Sequence, residues 1–173
     1  MTIEYFVFKT CRFLTLIAAI IFLFLKYFAL PDMVAVFYNT KSQAAGFLPK
    51  DQFFYLIATL LIVVNIIIPV LIHLFKKFKI EKLSSLGDYF GKTFNLHFYQ
   101  HNFENWINLI ISFLNILILL SLLILGKLNS TEYNSSIGEF NWFSKLAFSC
   151  FLILLIYPFA KIFLSKSSVS EEL

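Results

Sequence analysis

Charge is what this sequence has least of. Asp, Glu, Lys and Arg make up 14% of its 173 residues, against about a quarter in an ordinary soluble domain. Its two cysteines, Cys11 and Cys150, form no CxxC or CxxCH pattern. They fall at different depths of the threading set out below, so no disulfide framework is expected. The net charge of +4 accompanies no aromatic and basic pattern of the kind that binds nucleic acid. We read it as topology signal and headgroup contact, and exclude nucleic acid as a partner. Prolines number four and glycines five, so each marks a specific place where the chain turns or bends.

What the sequence does have is apolar surface. Hydrophobic residues make up 60% and aromatics 19%, with mean hydropathy +0.82. One soluble core of this size cannot hide so much Phe, Leu and Ile. Lipid is the natural solvent for the excess.

The stretch from Phe53 to Phe75 runs 23 residues without a formal charge, long enough to cross a bilayer as a helix. Lys76, Lys77, Lys79 and Lys82 follow at once. Such a cluster resists translocation and marks the cytoplasmic end. Three more spans alternate around it, giving spans at about 13–30, 53–75, 106–126 and 142–164. With both termini inside, nine of the 14 basic residues lie on the inner side and five on the outer, as the positive-inside rule requires. The expected fold is therefore an all-α membrane protein. It is a four-transmembrane-helix bundle in one domain, 1–173, with a short outer hairpin-like loop and an interfacial inner segment.

Taken in order, residues 1–12 precede the first span and carry Lys9 and Arg12. Within the span, Lys26 is placed to snorkel to the far interface beside Tyr27. Pro31 stops the helix. In the outer loop, Val34, Val36 and Tyr38 alternate with Ala35, Phe37 and Asn39, a period of two that predicts a strand. Gly46 and Pro49 punctuate its return, and Asp51 is placed to cap the second helix. Inside the second span, Pro69 has no N–H, so the carbonyl of Asn65 loses its helical partner and needs another donor. In the longest connection, 76–105, apolar residues recur at helical spacing and the block 94–106 is dense in aromatics. That predicts a segment lying along the inner interface. Trp106 and Trp142 fall at span starts, as interface aromatics should. In the last outer loop, Asn129-Ser130-Thr131 and Asn134-Ser135-Ser136 match glycosylation acceptors. Pro158 is expected to bend the fourth span.

Residues 30–50, LPDMVAVFYNTKSQAAGFLPK, carry a resemblance. They resemble a bacterial family of small membrane proteins known as a domain of unknown function, whose pattern is roughly L-P-D-x-V-P-x-H-F-N followed by D/A-G-F/Y-x-x-K. The same domain opens the SdpI-type immunity proteins, which protect cells from a secreted toxin and signal its presence. Leu30, Pro31, Asp32, Val34, Asn39, Gly46, Phe47 and Lys50 match. Ala35 stands where the family usually has Pro, and Phe37 where it has His. The Asn-rich inner stretch with Tyr and Trp is also similar. The resemblance implies an immunity-like role and a candidate partner loop at Pro31, Asp32, Asn39, Gly46 and Lys50.

Other candidates are weighed by their chemistry. His97 and His101 are spaced i, i+4 and share a helical face, which suits a metal. Only His73 can join them, and no Cys or carboxylate lies at ligand spacing, so interfacial histidines are the expectation. Asn65 lies ten residues from Phe75 and Asn115 nine from Trp106, about 15 and 13.5 Å at helical rise. They are level, and we expect them to face the bundle interior as an intramembrane polar pair that fixes helix register. Asp32 and Lys50 bracket the outer loop, where a surface ion pair would close it. Ser149 and Cys150 lack an activating base and read as packing residues.

The expected function is non-catalytic, with no cofactor and no metal. The protein is read as an interaction or immunity-type partner, or an accessory subunit, in the cytoplasmic membrane. Its expected partners are the bilayer and a membrane or extracytoplasmic protein. The alternative is a small transporter or channel-like protein with a polar track near Asn65 and Asn115.

Overall fold

The structure is a computed structural model. It describes residues 3–39, 43–74, 96–130 and 137–169, and side chains over 3–39, 43–74, 103–130 and 138–158. The basic run Lys76 to Lys82 and the acceptor match at Asn134 lie outside the described residues. So do the side chains of His97 and His101.

Helix α1 spans Ile3–Ala29. It starts ten residues before the expected Phe13, because nothing in that stretch breaks a helix and Glu4 sits in the first turn, where a negative charge complements the helix dipole. Arg12 and Cys11 are thus inside the helix, not ahead of it. The last turn closes with the Leu30 N–H on the Lys26 carbonyl at 2.9 Å, and Pro31 follows. Strands β1 (Met33–Tyr38) and β2 (Ala44–Pro49) then pair antiparallel. Met33 lies opposite Pro49, and Ala35 opposite Phe47; the register slips at Val36, so that Phe37 faces Gly46.

Helix α2 runs Lys50–Leu74. It is regular over Lys50–Ile62 and widens into a π turn at Val63–Ile67, where the Ile68 N–H reaches back to the Val63 carbonyl. Pro49 is the N-cap and no side chain caps the helix. Asp51 instead accepts a 2.7 Å hydrogen bond from the Tyr27 hydroxyl; a carboxylate one residue into the helix points across to α1 rather than back to the first N–H groups.

Helix α3 is one unbroken run, Leu96–Leu128. Residues 96–105 are thus helical and continuous with the third span, while 76–95 of the expected inner segment lie outside the described residues. No Gly or Pro interrupts residues 96–105, and the buried face of α3 continues through Asn105. After a 3₁₀ turn at Ile137–Phe140, α4 covers Asn141–Val169 with Pro158 inside it.

The core is a thin column. Ala19 and Leu23 of α1, Phe53, Ile57, Leu61 and Val64 of α2, and Ile111, Ile118 and Leu122 of α3 meet in it, with Val34 of β1 at one end. Helix α1 packs chiefly along α3, and Lys26 lies over Gly126, where a Cβ would sit 2.7 Å from its Nζ. Helix α4 is peripheral; its span Gly138–Pro158 buries none of its residues. All four helices are long and apolar enough to cross a membrane. The surface they present is largely hydrophobic, with Phe13, Leu14, Ile66 and Ile153 each more than half exposed.

Candidate functional site

Two prolines organise the polar interior. In an α-helix the N–H of residue 69 would bond the carbonyl of Asn65, and proline has none to offer. The donor comes from another helix: Arg12 Nη2 lies 2.6 Å from the Asn65 carbonyl oxygen. Arg12 Nη1 also donates to Asn108 Oδ1 at 3.1 Å. One guanidinium thus ties α1, α2 and α3 together, using donors that diverge in a fixed fork. The second proline repeats the logic. Pro158 frees the carbonyl of Leu154, which accepts a 2.7 Å hydrogen bond from Trp106 Nε1. Trp106 therefore docks α4 on α3, a role beyond that of an interface aromatic.

Above the Arg12 tie sits the amide pair. Asn65 Nδ2 donates to Asn115 Oδ1 at 2.8 Å, and Asn115 Nδ2 returns a bond to Asn65 Oδ1 at 3.1 Å. Asn65 also donates to the Leu61 carbonyl at 3.1 Å, and Asn115 points its second proton at Thr15 Oγ1, 3.5 Å away. Thr15 in turn donates to the Arg12 carbonyl. Both asparagines are buried, as buried amides must be when paired this fully. The arrangement is a closed knot: each amide proton is directed at an acceptor, and the pair ties α2 to α3.

The α3 side of the seam has its own pattern. Asn105, Asn108, Ser112 and Asn115 are spaced i, i+3, i+7 and i+10, one helical face, and all four are buried. Ser112 donates to the Asn108 carbonyl. Asn105 is different: fully buried, it has no hydrogen-bond partner for either side-chain atom among the described residues. Beside Arg12 and Asn108 the seam opens into a cleft of about 150 Å³. Arg12, Asn108, His73, Glu104, Ile72 and Ile107 are among the residues that line it.

At the opposite end of the helices the hairpin is held by polar ties. Lys50 Nζ meets Asp32 Oδ1 at 3.0 Å, and the Lys50 N–H donates to the Asp32 carbonyl at 2.9 Å. Asn39 turns the tip, its Oδ1 accepting from the Gln43 N–H at 2.9 Å. Gly46 leaves room for Phe37, whose Cδ2 would stand 2.8 Å from an added Cβ. On the free edge of β1, Asn129 acts as a surrogate strand: its Oδ1 accepts the Ala35 N–H at 2.7 Å and its Nδ2 donates to the Ala35 carbonyl at 3.1 Å. That amide is the one the first glycosylation match would modify, and here it is engaged in the fold.

Of the loop residues singled out from sequence, Pro31 ends a helix, while Asp32, Asn39, Gly46 and Lys50 shape the hairpin. What the hairpin presents outward is Met33, Phe37 and Phe47, at 53, 69 and 53% exposure. Cys11 is exposed and Cys150 half-buried, and both are free. Sequence reasoning missed Arg12, Asn108, Asn105 and Asn129. The spacing of the α3 asparagines was a usable signal, as was the need of the Asn65 carbonyl for a donor. Neither points to Arg12, which precedes the apolar run starting at Phe13 and lies inside α1 only because the helix begins at Ile3. No family model, no curated protein and no solved structure matches this chain.

Proposed function

We propose that this chain is a multi-pass protein of the cytoplasmic membrane, termini inside, acting as a non-catalytic partner that offers its hairpin to a protein on the outer side. Four membrane-length helices with outward apolar surface support the insertion. The positive-inside count gives the direction. The observation that carries the partner role is the hairpin itself. It is pinned by Lys50–Asp32 and by Asn129, yet it turns Phe37, Phe47 and Met33 away from the bundle. Rigid exposed aromatics are the usual anchors of protein recognition. The immunity-like reading of this loop draws on its sequence resemblance.

The test is co-purification from native membranes with Phe37→Ser and Phe47→Ser in the hairpin. A partner lost in both variants, with unchanged melting of the detergent-solubilised protein, supports the reading. If reconstituted protein instead shows solute flux that Asn65→Leu removes, the transporter alternative replaces it.

A further inference from the structure

Arg12 is a charge without a counter-charge. Its guanidinium carries five N–H groups. Two of them hold the Asn65 carbonyl and the Asn108 amide oxygen, and among the described residues no carboxylate lies within ion-pair distance of it. Both acceptors are neutral, so the positive charge stays uncompensated at a depth where ionisable groups are costly and mark a site. The second sign lies on α3, in a side chain that Arg12 already touches. Asn108 is 8% exposed. Its Oδ1 is taken by Arg12 Nη1, which leaves Nδ2 as the donor end of the amide. That Nδ2 has no acceptor among the described residues, a condition that calls for a partner. Arg12 and Asn108 line the same cleft, so the spare N–H groups of both border one space of about 150 Å³, the liquid share of about five waters. Tyr5 and Glu104 also line it; each holds an interaction of its own, and neither is needed as a ligand. Lys9, its ammonium 5.6 Å from the centre of the Tyr5 ring, adds a second positive charge beside the cleft. Two cations against one carboxylate that is already engaged leave the space electropositive.

We propose that this cleft is an oxyanion site for a phosphate group, whose oxygens take the free donors of Arg12 and the Nδ2 of Asn108. Arginine binds phosphate through paired N–H bonds, and an amide donor adds a further bond without adding charge. The phosphate belongs either to a phospholipid headgroup or to a free phosphate ion. In the first case the exposed Val70, Leu71 and Leu74 of α2 give the acyl chains an apolar flank beside the cleft, and basic clefts between spanning helices are where headgroups are recognised. The inference rests on the membrane reading above for the depth of Arg12. It is separate from the partner role of the hairpin, which lies at the opposite end of the helices.

Two measurements on the protein purified in detergent test the site and separate the two sources. Native mass spectrometry reads the retention of phosphatidylglycerol against diacylglycerol with the same acyl chains. Thermal unfolding reads stabilisation by inorganic phosphate against chloride at equal ionic strength. A headgroup site should hold phosphatidylglycerol about tenfold more tightly than diacylglycerol, as one charge-assisted hydrogen bond implies, with no effect of inorganic phosphate. A site for the free ion should raise the melting temperature in phosphate and not in chloride, with the two lipids held alike. Asn108→Asp keeps the oxygen that Arg12 Nη1 bonds, replaces the free Nδ2 with a carboxylate oxygen, and gives Arg12 a counter-ion within the fold. It should abolish whichever signal is seen while the protein melts no lower. Ile72→Trp, which fills the cleft without removing either Arg12 bond, should weaken the same signal. Equal retention of the two lipids together with no phosphate effect overturns the proposal, and so does a signal that survives Asn108→Asp. Should Asn108→Asp melt lower, Ile72→Trp decides: a signal that it leaves unchanged overturns the proposal. Failure of both signals in a protein that still needs detergent leaves the membrane reading standing; a chain that stays dissolved without detergent removes both.

Discussion

The Arg12 tie exists because Pro69 cannot donate, and that dependence can be measured. In Arg12→Met the Asn65 carbonyl and the Asn108 amide oxygen each lose a charge-assisted bond, worth roughly 1.5–3 kcal/mol apiece. Against that, removing a guanidinium from the interior of a spanning helix recovers about 2.5–3.5 kcal/mol of insertion cost. The net loss should fall between about zero and 3.5 kcal/mol. Pro69→Ala restores an N–H facing the Asn65 carbonyl. In the Arg12→Met background it should recover about 1–2 kcal/mol, the usual penalty of an orphaned acceptor. In the unmodified protein the carbonyl is already satisfied, so the same change should alter stability far less. Reversible unfolding in mixed micelles, followed by the fluorescence of Trp106 and Trp142, gives the four corners of the cycle. If Pro69→Ala stabilises both backgrounds equally, the guanidinium is not the substitute donor and the account of the seam is wrong.

Three further outcomes follow from the same geometry. Asn65→Leu and Asn115→Leu should each cost about 1–3 kcal/mol by stranding the partner amide, whereas the double change should cost clearly less than their sum; strict additivity in micelle unfolding refutes the pair. Asn129→Ala should speed hydrogen exchange at the Ala35 amide roughly tenfold or more, because a net bond of about 1–1.5 kcal/mol is removed, and unchanged exchange would mean that the strand edge is protected by something else. Trp106→Phe keeps a ring in place but removes the donor to the Leu154 carbonyl, so it should cost about 1 kcal/mol. Most of that loss should vanish when Pro158→Ala supplies the N–H.

Several features of the bundle are readable by counting. The long apolar runs determine that there are four helices of membrane length, since hydrophobic spacing and the absence of breakers act locally along the chain. The two-residue alternation in 33–38 and the Gly46 and Pro49 punctuation set a hairpin, because pleat and turn chemistry are also local. That Asn65 and Asn115 lie level follows from helical rise alone. That Pro69 orphans a carbonyl follows from the missing N–H.

Other features came only with the three-dimensional arrangement. Which residue would satisfy that carbonyl depended on α1 starting at Ile3 and on its rotation against α2 and α3, quantities that sum many weak contacts across the bundle. The same holds for Asn129, whose 94-residue separation from Ala35 no local pattern encodes, and for Asp51, which turns to Tyr27 instead of capping its own helix. Backbone chemistry told this chain where it would need hydrogen-bond donors. Only the packing of the helices decided who supplied them, because a donor must arrive within about 3 Å, and that distance is set between helices, not along them.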